Sequence, residues 1–385
     1  MVLKKKNVNI IAEIGTSHGG DISKAKQLIK AASQAGANAV KFQWVYADEI
    51  LHPNTGTVKL PGGKIRLYDR FKQLEVPSDF FVKAKDFAHS CGCDFICTPF
   101  GTKSLEELEA IEPDAIKIAS PELNHFPLLK HLAQIQEKRQ KNGAELFPVI
   151  LSSGVSTLAD IEKAIQWLGP SKKNMTLLHC LTAYPAPPQE YNVSVIENLC
   201  KIFGVQTGVS DHTMHPYLVP VLATCFGAVQ IEKHITLSRK TDGLDDPVAL
   251  EPQDFALMVQ KVRQAEDKLK HKGKNFCVSS IIQDLESEID IKTIKKTIGD
   301  GVKKIATTEL GNYGRTNRSI HFMNDMKAGE VVAENSIAVL RTEKKLTPGI
   351  EPEHIDKVYG AILSQDVSAG QGLEWNHILH RSLHT

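Results

Sequence analysis

Residues 203–237 read FGVQTGVSDHTMHPYLVPVLATCFGAVQIEKHITL. Two short β-rich apolar runs, VQTGVSD (205–211) and AVQIEKHI (228–235), bracket an apolar stretch with helical character. A histidine stands at the end of each run, His212 after the first and His234 within the second. The stretch from Tyr217 to Ile231 is broken by Pro220 and Gly227, and at roughly 15 residues it is too short to span a bilayer. It reads as a buried helix running into a buried strand. A strand, a covering helix and a second buried strand form a parallel unit, so the fold turns on how often that unit recurs.

It recurs along most of the chain. Apolar runs at VNIIAEIG (8–15), AVKFQ (39–43), DFICTPF (94–100), AIKIAS (115–120), PVILSSG (148–154) and MTLLHCL (175–181) precede the opening pair. Amphipathic stretches lie between them, among them 21–37, 77–92 and 156–169, with Asp21, Ser78 and Ser156 standing where N-caps belong and Gly169 closing the last. Eight such units predict a parallel sheet closed into a (β/α)8 TIM barrel. An open doubly wound sheet is the alternative, but no switch point is visible in the order of units. Residues 44–76 are a long Gly- and Pro-containing insertion after the second strand, expected over the catalytic face as a lid. After about residue 285 the pattern changes. The expected domains are a catalytic barrel (1–285), a polar linker (286–315) and a small β-rich module (316–385) in which Asn324 to Val331 and Gln365 to Leu373 are similar phrases.

The composition narrows the function. The 385 residues are 42% hydrophobic and 24% charged, with a formal net charge of +1, which argues against an electrostatic nucleic-acid binder. The start, MVLKKKNVNIIAEIG, is basic then apolar but lacks a small-residue cleavage site, and it reads as a tail and a first strand. Seven cysteines without ligand-like spacing predict a reducing, cytoplasmic setting. Cys91 and Cys93 are expected to flank an ordinary helix-to-strand turn.

In such a barrel the strands' C-terminal ends form the catalytic face. Those ends carry Glu13, Lys41, Gln43, Thr98, Lys117, Ser120, Ser152, Ser153, Tyr184, Ser210, His212, Glu232 and His234. Side chains alternate along a strand, so Lys41 shares a direction with Gln43, Ser210 with His212, and Glu232 with His234. A lone strand-end histidine is more often hydrogen-bonded than a ligand. Two on neighbouring strands, about 4.8 Å apart, can reach one ion. Lys41 and Lys117 end apolar strands, where a lysine is costly unless it meets an anion. Together with the hydroxyls of Thr98, Ser120, Ser152 and Ser210 they describe a pocket for phosphate plus carboxylate. Glu13 fits either a salt bridge to one lysine or a catalytic carboxylate. His179, in LLHCL, reads as a core residue.

The ordered phrases AEIGTSHGG, AVKFQ, TPF, KIAS, LSSG, LLHCLTAYP, GVSDHT and EKHITL…DDPVALEP resemble the N-acetylneuraminate (sialic acid) synthase family over nearly the whole chain. The resemblance implies a (β/α)8 barrel with a C-terminal antifreeze-like (SAF) domain. It also implies condensation of phosphoenolpyruvate with an open-chain N-acylated amino sugar, giving a nonulosonic acid and phosphate. His212 and His234 match ligands of a divalent metal, usually manganese, with Mg²⁺ or Co²⁺ as alternatives. Lys41, Thr98, Lys117, Ser120, Ser152 and Ser210 match phosphoenolpyruvate contacts. Glu13 matches a carboxylate that orients or deprotonates the attacking water. Gln43, Glu122, Tyr184 and Asp245 match sugar-side or metal-side positions, and Asp245 joins Glu13, Lys41 and Lys117 in the expected catalytic set. The resemblance further implies a domain-swapped homodimer in which Arg341 of the small domain reaches the partner's site and contacts the N-acyl group. No nucleic acid or membrane is expected as a partner.

The phrases also depart from the family's pattern. Ser17 stands where asparagine is usual, Thr182 replaces another asparagine, Thr342 to Lys345 replace PGNG after the arginine, and LDDP replaces GPDH. Most of these loops are expected at the sugar, so a di-N-acetylated 6-deoxy sugar competes with N-acetylmannosamine as acceptor. Two other readings stand beside this one. A related 3-deoxy-2-keto acid synthase would need a distal phosphate cluster, for which Lys64, Arg66 and Arg70 are candidates. A non-catalytic carbohydrate-binding protein would leave two buried lysines and two aligned histidines without a task.

Overall fold

A computed structural model of the chain describes residues 7–60, 63–241, 243–271, 274–343 and 345–379. The basic start, residues 1–6, lies outside them. Strand β1 (Asn9–Gly15) is followed by β2 (Ala39–Trp44), and the insertion carries an antiparallel hairpin, β3 (Thr57–Leu60) and β4 (Gly63–Arg66). The series continues with β5 (Asp94–Pro99), β6 (Ala115–Ile118), β7 (Val149–Ser152), β8 (Met175–Cys180), β9 (Gln206–Asp211) and β10 (Gln230–His234). Apart from the hairpin, these strands close into one barrel, in chain order, with every neighbouring pair parallel.

The alternation that predicted strands also sorts the side chains. Ile11, Ala39, Ile96, Ala115, Ile150 and Leu178 fill the barrel's interior, while the intervening positions pack outward against the helices in a much larger apolar cluster. A Cβ on Gly208 would lie 2.2 Å from the Gln230 carbonyl, so only glycine lets β9 and β10 approach there. The helix after β9, Leu218–Cys225, is buried on every side, which is why its sequence is apolar throughout. Asp21 caps the first helix, accepting from the Ser23 amide. The other two expected caps shift by one residue. Pro77 precedes the helix that starts at Ser78, and Thr157 caps the next one through a reciprocal pair with Asp160.

The stretch 286–315 is not wholly irregular. Helix Ile291–Ile298 buries Ile294 in the barrel's outer core, and the remainder runs along the barrel. Glu309 Oε1 accepts from the amides of Val155 (2.8 Å) and Thr182 (2.7 Å), and Asn317 donates to the Val155 carbonyl. The small domain pairs β11 (Arg318–Phe322) with β12 (Ile337–Arg341) over a core that includes Ile320, Phe322, Val332 and Leu373. Its two similar phrases meet at an antiparallel bridge between Met326 and Val367. They cap each other, with the Ala328 amide donating to Asp366 (3.0 Å) and the Ala369 amide to Asp325 (2.8 Å).

Three histidines away from the barrel mouth are buried as neutral rings. Burial, with Lys24 nearby, lowers the His18 pKa to about 4, and burial with Lys303 lowers that of His179 to about 3. Burial lowers His321 to about 4, although the Gly370 carbonyl opposes it. Below pH 6.5 the unfolded chain takes up protons that the folded chain refuses, so stability falls as the pH drops from 6.5 towards 4. Each ring contributes a slope of up to about 1.4 kcal/mol per pH unit. Thermal unfolding across that range checks this, and an unchanged midpoint between pH 7 and pH 5 would contradict it.

Candidate active site

The parallel register brings the polar strand ends to one level. Glu13 lies opposite both Lys41 and His234, Glu232 opposite Ser210, and Gln43 opposite Thr98. They line a cavity of about 580 Å³ at the C-terminal mouth, together with Lys117, Ser120, Ser152, Tyr184, His212, Asp245 and Arg341. Of the fourteen site residues expected from sequence, thirteen line this cavity and Glu122 does not.

The floor is an interlaced set of charges. Lys41 Nζ lies 2.8 Å from Glu13 Oε2 and 3.7 Å from Glu232 Oε2, and it donates to Thr98 Oγ1 at 3.4 Å. Lys117 Nζ reaches Glu232 Oε1 at 3.7 Å, and Ser210 donates to the same oxygen at 2.9 Å. Glu13 therefore takes up the salt bridge to Lys41, and it also accepts from Gln43 Nε2 at 2.7 Å. Burial opposes the charge on each lysine, with unequal results. For Lys41 the two carboxylates outweigh burial and raise the pKa, whereas for Lys117 burial prevails and lowers it. Burial pushes Glu232 upward, but Lys117 and Lys41 bring it down to about 2. Lys117 is thus the under-compensated cation of the floor, and the buried Ser152 hydroxyl has no hydrogen-bond partner among the described residues. A small oxyanion would satisfy both.

Two imidazoles stand at the rim, with ring centroids 5.5 Å apart. His212 Nδ1 meets the Leu181 carbonyl at 2.7 Å. That oxygen can only accept, which places a proton on Nδ1, and Nε2, which faces Tyr184 and Ser210, can ligate a cation only after losing its own proton. The Tyr184 ring stacks on His212, and its hydroxyl lies 3.2 Å from Nε2. Burial opposes protonation of His212, but the Cys180 thiol, 3.8 Å from Nδ1, and the Leu181 carbonyl raise it to about 9. Burial holds His234 near 3, so that ring is neutral, and its Nδ1 lies 3.7 Å from Asp245 Oδ2. Two imidazoles and a carboxylate are a nitrogen and oxygen donor set suited to a divalent first-row ion. Among the described residues no three His, Cys, Asp or Glu side chains already form a ligand cluster. A cation held by His212 and His234 would complete its shell with Asp245, water or substrate.

Glu122 departs from expectation. Its side chain is fully buried beneath the small domain, where Arg318 donates to Oε1 through Nε (3.0 Å) and Nη2 (2.6 Å). Arg341 Nη2 donates to both its oxygens, at 2.7 and 2.8 Å. A carboxylate flanked by two guanidinium groups is held beneath the small domain, away from the cavity lining. Within the single chain, Arg341 lines the mouth of its own barrel, with the linker bonded along the barrel through Glu309.

Several functional residues escaped the sequence reading. Glu232 was placed at the cavity but given no role, although its spacing two residues before His234 signalled a shared face. Arg318, whose Nη1 and Nη2 also donate to the Glu49 (2.5 Å) and Phe100 (2.9 Å) carbonyls, gave no local signal. Asn312, Thr316 and Lys345 line the mouth from the linker and small domain. Lys64, Arg66 and Arg70 do not line it, and Arg66 instead donates to the Pro53 carbonyl and pairs with Asp69.

A parallel barrel whose polar strand ends converge on one recessed cavity defines an enzyme. The chain belongs to the NeuB family, whose model matches residues 28–274, and a SAF domain follows at residues 317–379. It is 32% identical over 380 residues to the spore coat polysaccharide biosynthesis protein SpsE of Bacillus subtilis, covering 98% of this chain and 95% of that protein. The crystal structure of that B. subtilis protein superposes with a TM-score of 0.79 at 30% identity, covering 98% and 97% of the two chains. The N,N'-diacetyllegionaminic acid synthase of Legionella pneumophila is 30% identical, with 96% and 94% coverage. The enzyme is of the transferase type, and among the described residues no helix is long and apolar enough to cross a membrane.

Proposed function

We propose that this enzyme condenses phosphoenolpyruvate with an open-chain N-acylated hexosamine, either N-acetylmannosamine or a di-N-acetylated 6-deoxy sugar, giving a nonulosonic acid and phosphate. The observation that carries this reading is one cavity lined by the buried, under-compensated Lys117, the unpartnered Ser152 hydroxyl and two histidines. Lys41, Lys117, Thr98, Ser120, Ser152 and Ser210 hold the carboxylate and phosphate. Two lysines and two carboxylates cancel at the floor, so directional donors fix the anion and net positive charge must come from the rim. A divalent ion, Mn²⁺ in the first instance, held by His212 and His234 would supply that charge and polarise the sugar aldehyde as a Lewis acid.

In the reaction C3 of phosphoenolpyruvate forms the new bond to the aldehyde carbon, and the aldehyde oxygen takes up a proton. Water then adds at C2, and the C2–O bond to phosphate breaks. Glu13, fixed by Lys41 and Gln43, is placed to orient that water and accept its proton. Asp245 stands at the acceptor side beside His234. Arg341 holds the N-acyl group, and Leu67, Phe71, Phe100 and Leu244 supply an apolar wall for methyl groups. Buried free cysteines such as Cys93, Cys97 and Cys180 support a reducing, cytoplasmic setting.

The decisive assay is phosphate release from phosphoenolpyruvate with Mn²⁺ across N-acetylmannosamine, its 6-phosphate and di-N-acetylated 6-deoxy hexoses. Release with an unphosphorylated sugar, suppressed by chelator, is expected. Release with the 6-phosphate alone would overturn the acceptor class, and silence with all would overturn the reaction. His234→Ala is expected to lose bound Mn²⁺ in equilibrium dialysis and to lose turnover while remaining folded. Retention of the ion at wild-type affinity would remove the histidines from that role. A homodimer that exchanges small domains would make the Arg341–Glu122 contact between copies. Mixing Glu122→Ala with Arg341→Ala protein should then restore activity, and no restoration would favour the contact within one chain.

A further inference from the structure

A second cavity, of about 270 Å³, lies behind β8 and shares no lining residue with the mouth. Its walls come from β8, from the segment after it, and from the end of helix Ile291–Ile298 with the residues that follow. His179 is 4% exposed and lines this cavity. Its Nε2 meets the Tyr191 carbonyl at 2.6 Å, which assigns the ring proton to Nε2. The other nitrogen, Nδ1, is then a bare acceptor, buried and without a hydrogen-bond partner among the described residues. Lys296, Lys303 and Lys304 line the same space. Lys304 is paired with Asp300 at 2.9 Å, and Glu190 is engaged by the amide and hydroxyl of Thr308, both at 3.0 Å. Lys296 and Lys303 have no ion-pair partner among the described residues. Burial pushes the Lys303 ammonium towards its neutral form, and Glu309 and Asp160, which oppose this, do not fully offset it.

The two needs specify one kind of occupant. A buried acceptor calls for an O–H or N–H donor, and the under-compensated Lys303 ammonium, with the exposed Lys296 on the same cavity, favours negative charge. A water molecule answers the first alone, and this cavity is several times the roughly 30 Å³ share of one water. We propose that this cavity binds a small oxyanion that carries its own hydroxyl, either hydrogen phosphate or a polyhydroxylated carboxylate. The hydroxyl donates to His179 Nδ1, and the anionic oxygens accept from Lys303 and Lys296. The site adjoins the chemistry without belonging to it. Cys180, the next residue of β8, faces the mouth, and Leu181, which lines the second cavity, supplies the carbonyl that fixes His212.

Calorimetric titration of the full-length enzyme with inorganic phosphate, and separately with gluconate, tests this. At least one anion should show two classes of site, one at the mouth and one here. Lys303→Met should weaken the second class at least about tenfold, the loss of one charge-assisted hydrogen bond, and leave the mouth class and turnover intact. The anion that shows the Lys303-dependent class identifies the source. Lys296→Met, at an exposed position, gives the same reading should Lys303→Met fold poorly. A single class of site for both anions, or two classes indifferent to both substitutions, would overturn the assignment.

Discussion

Lys117→Met is expected to lower kcat/KM for phosphoenolpyruvate by about 10²–10³-fold while the barrel remains folded. Methionine keeps the apolar stem and removes the ammonium. Glu232 keeps Lys41 and the Ser210 hydroxyl, so no buried carboxylate is stranded. Lys41→Met should be harsher, because Glu13 loses its 2.8 Å cation partner, and breaking such a buried pair costs about 3–5 kcal/mol. Steady-state phosphate release set beside thermal unfolding separates the two cases. A Lys117→Met enzyme with near wild-type kcat/KM would show that the floor is an electrostatic scaffold, and the phosphoenolpyruvate site would have to lie elsewhere.

Glu122→Ala is expected to carry the largest structural effect. It strips the shared carboxylate from two guanidinium groups, one of them wholly buried, and should destabilise the docked small domain by about 3–5 kcal/mol. The domain should then leave the mouth. Trypsin would cut the linker, and affinity for the sugar would fall further than affinity for phosphoenolpyruvate. Wild-type protease resistance and an unchanged unfolding profile would mean that apolar packing between the domains suffices.

The barrel was legible because its signal is periodic. Eight buried runs, each with alternating side chains, specify both the closed sheet and the side of each residue that faces the cavity. The same alternation brought Lys41, Lys117, Ser210, His212 and His234 to one place. What could not be read was contact between distant segments. Arg318 is an unremarkable residue in NRSI until folding brings it across to Glu122, nearly two hundred positions away in the chain. The caps at Ser78 and Ser156 failed for a local reason, since Pro77 and Thr157 claim those backbone positions. The linker was misjudged because helix Ile291–Ile298 shows the barrel a single apolar face among its lysines.

The floor of the cavity is built from barrel strands, whereas part of its upper wall is carried by a separately folded module that brings Arg341 and Lys345. Under the proposed reaction, this division would make acceptor choice transferable. A chimera that joins this barrel to a relative's module, with Arg318 and Glu122 retained as the joint, would test whether the module alone sets the acceptor. Such an exchange would fall just after residue 318, near where the SAF domain begins, and would leave the catalytic floor unchanged.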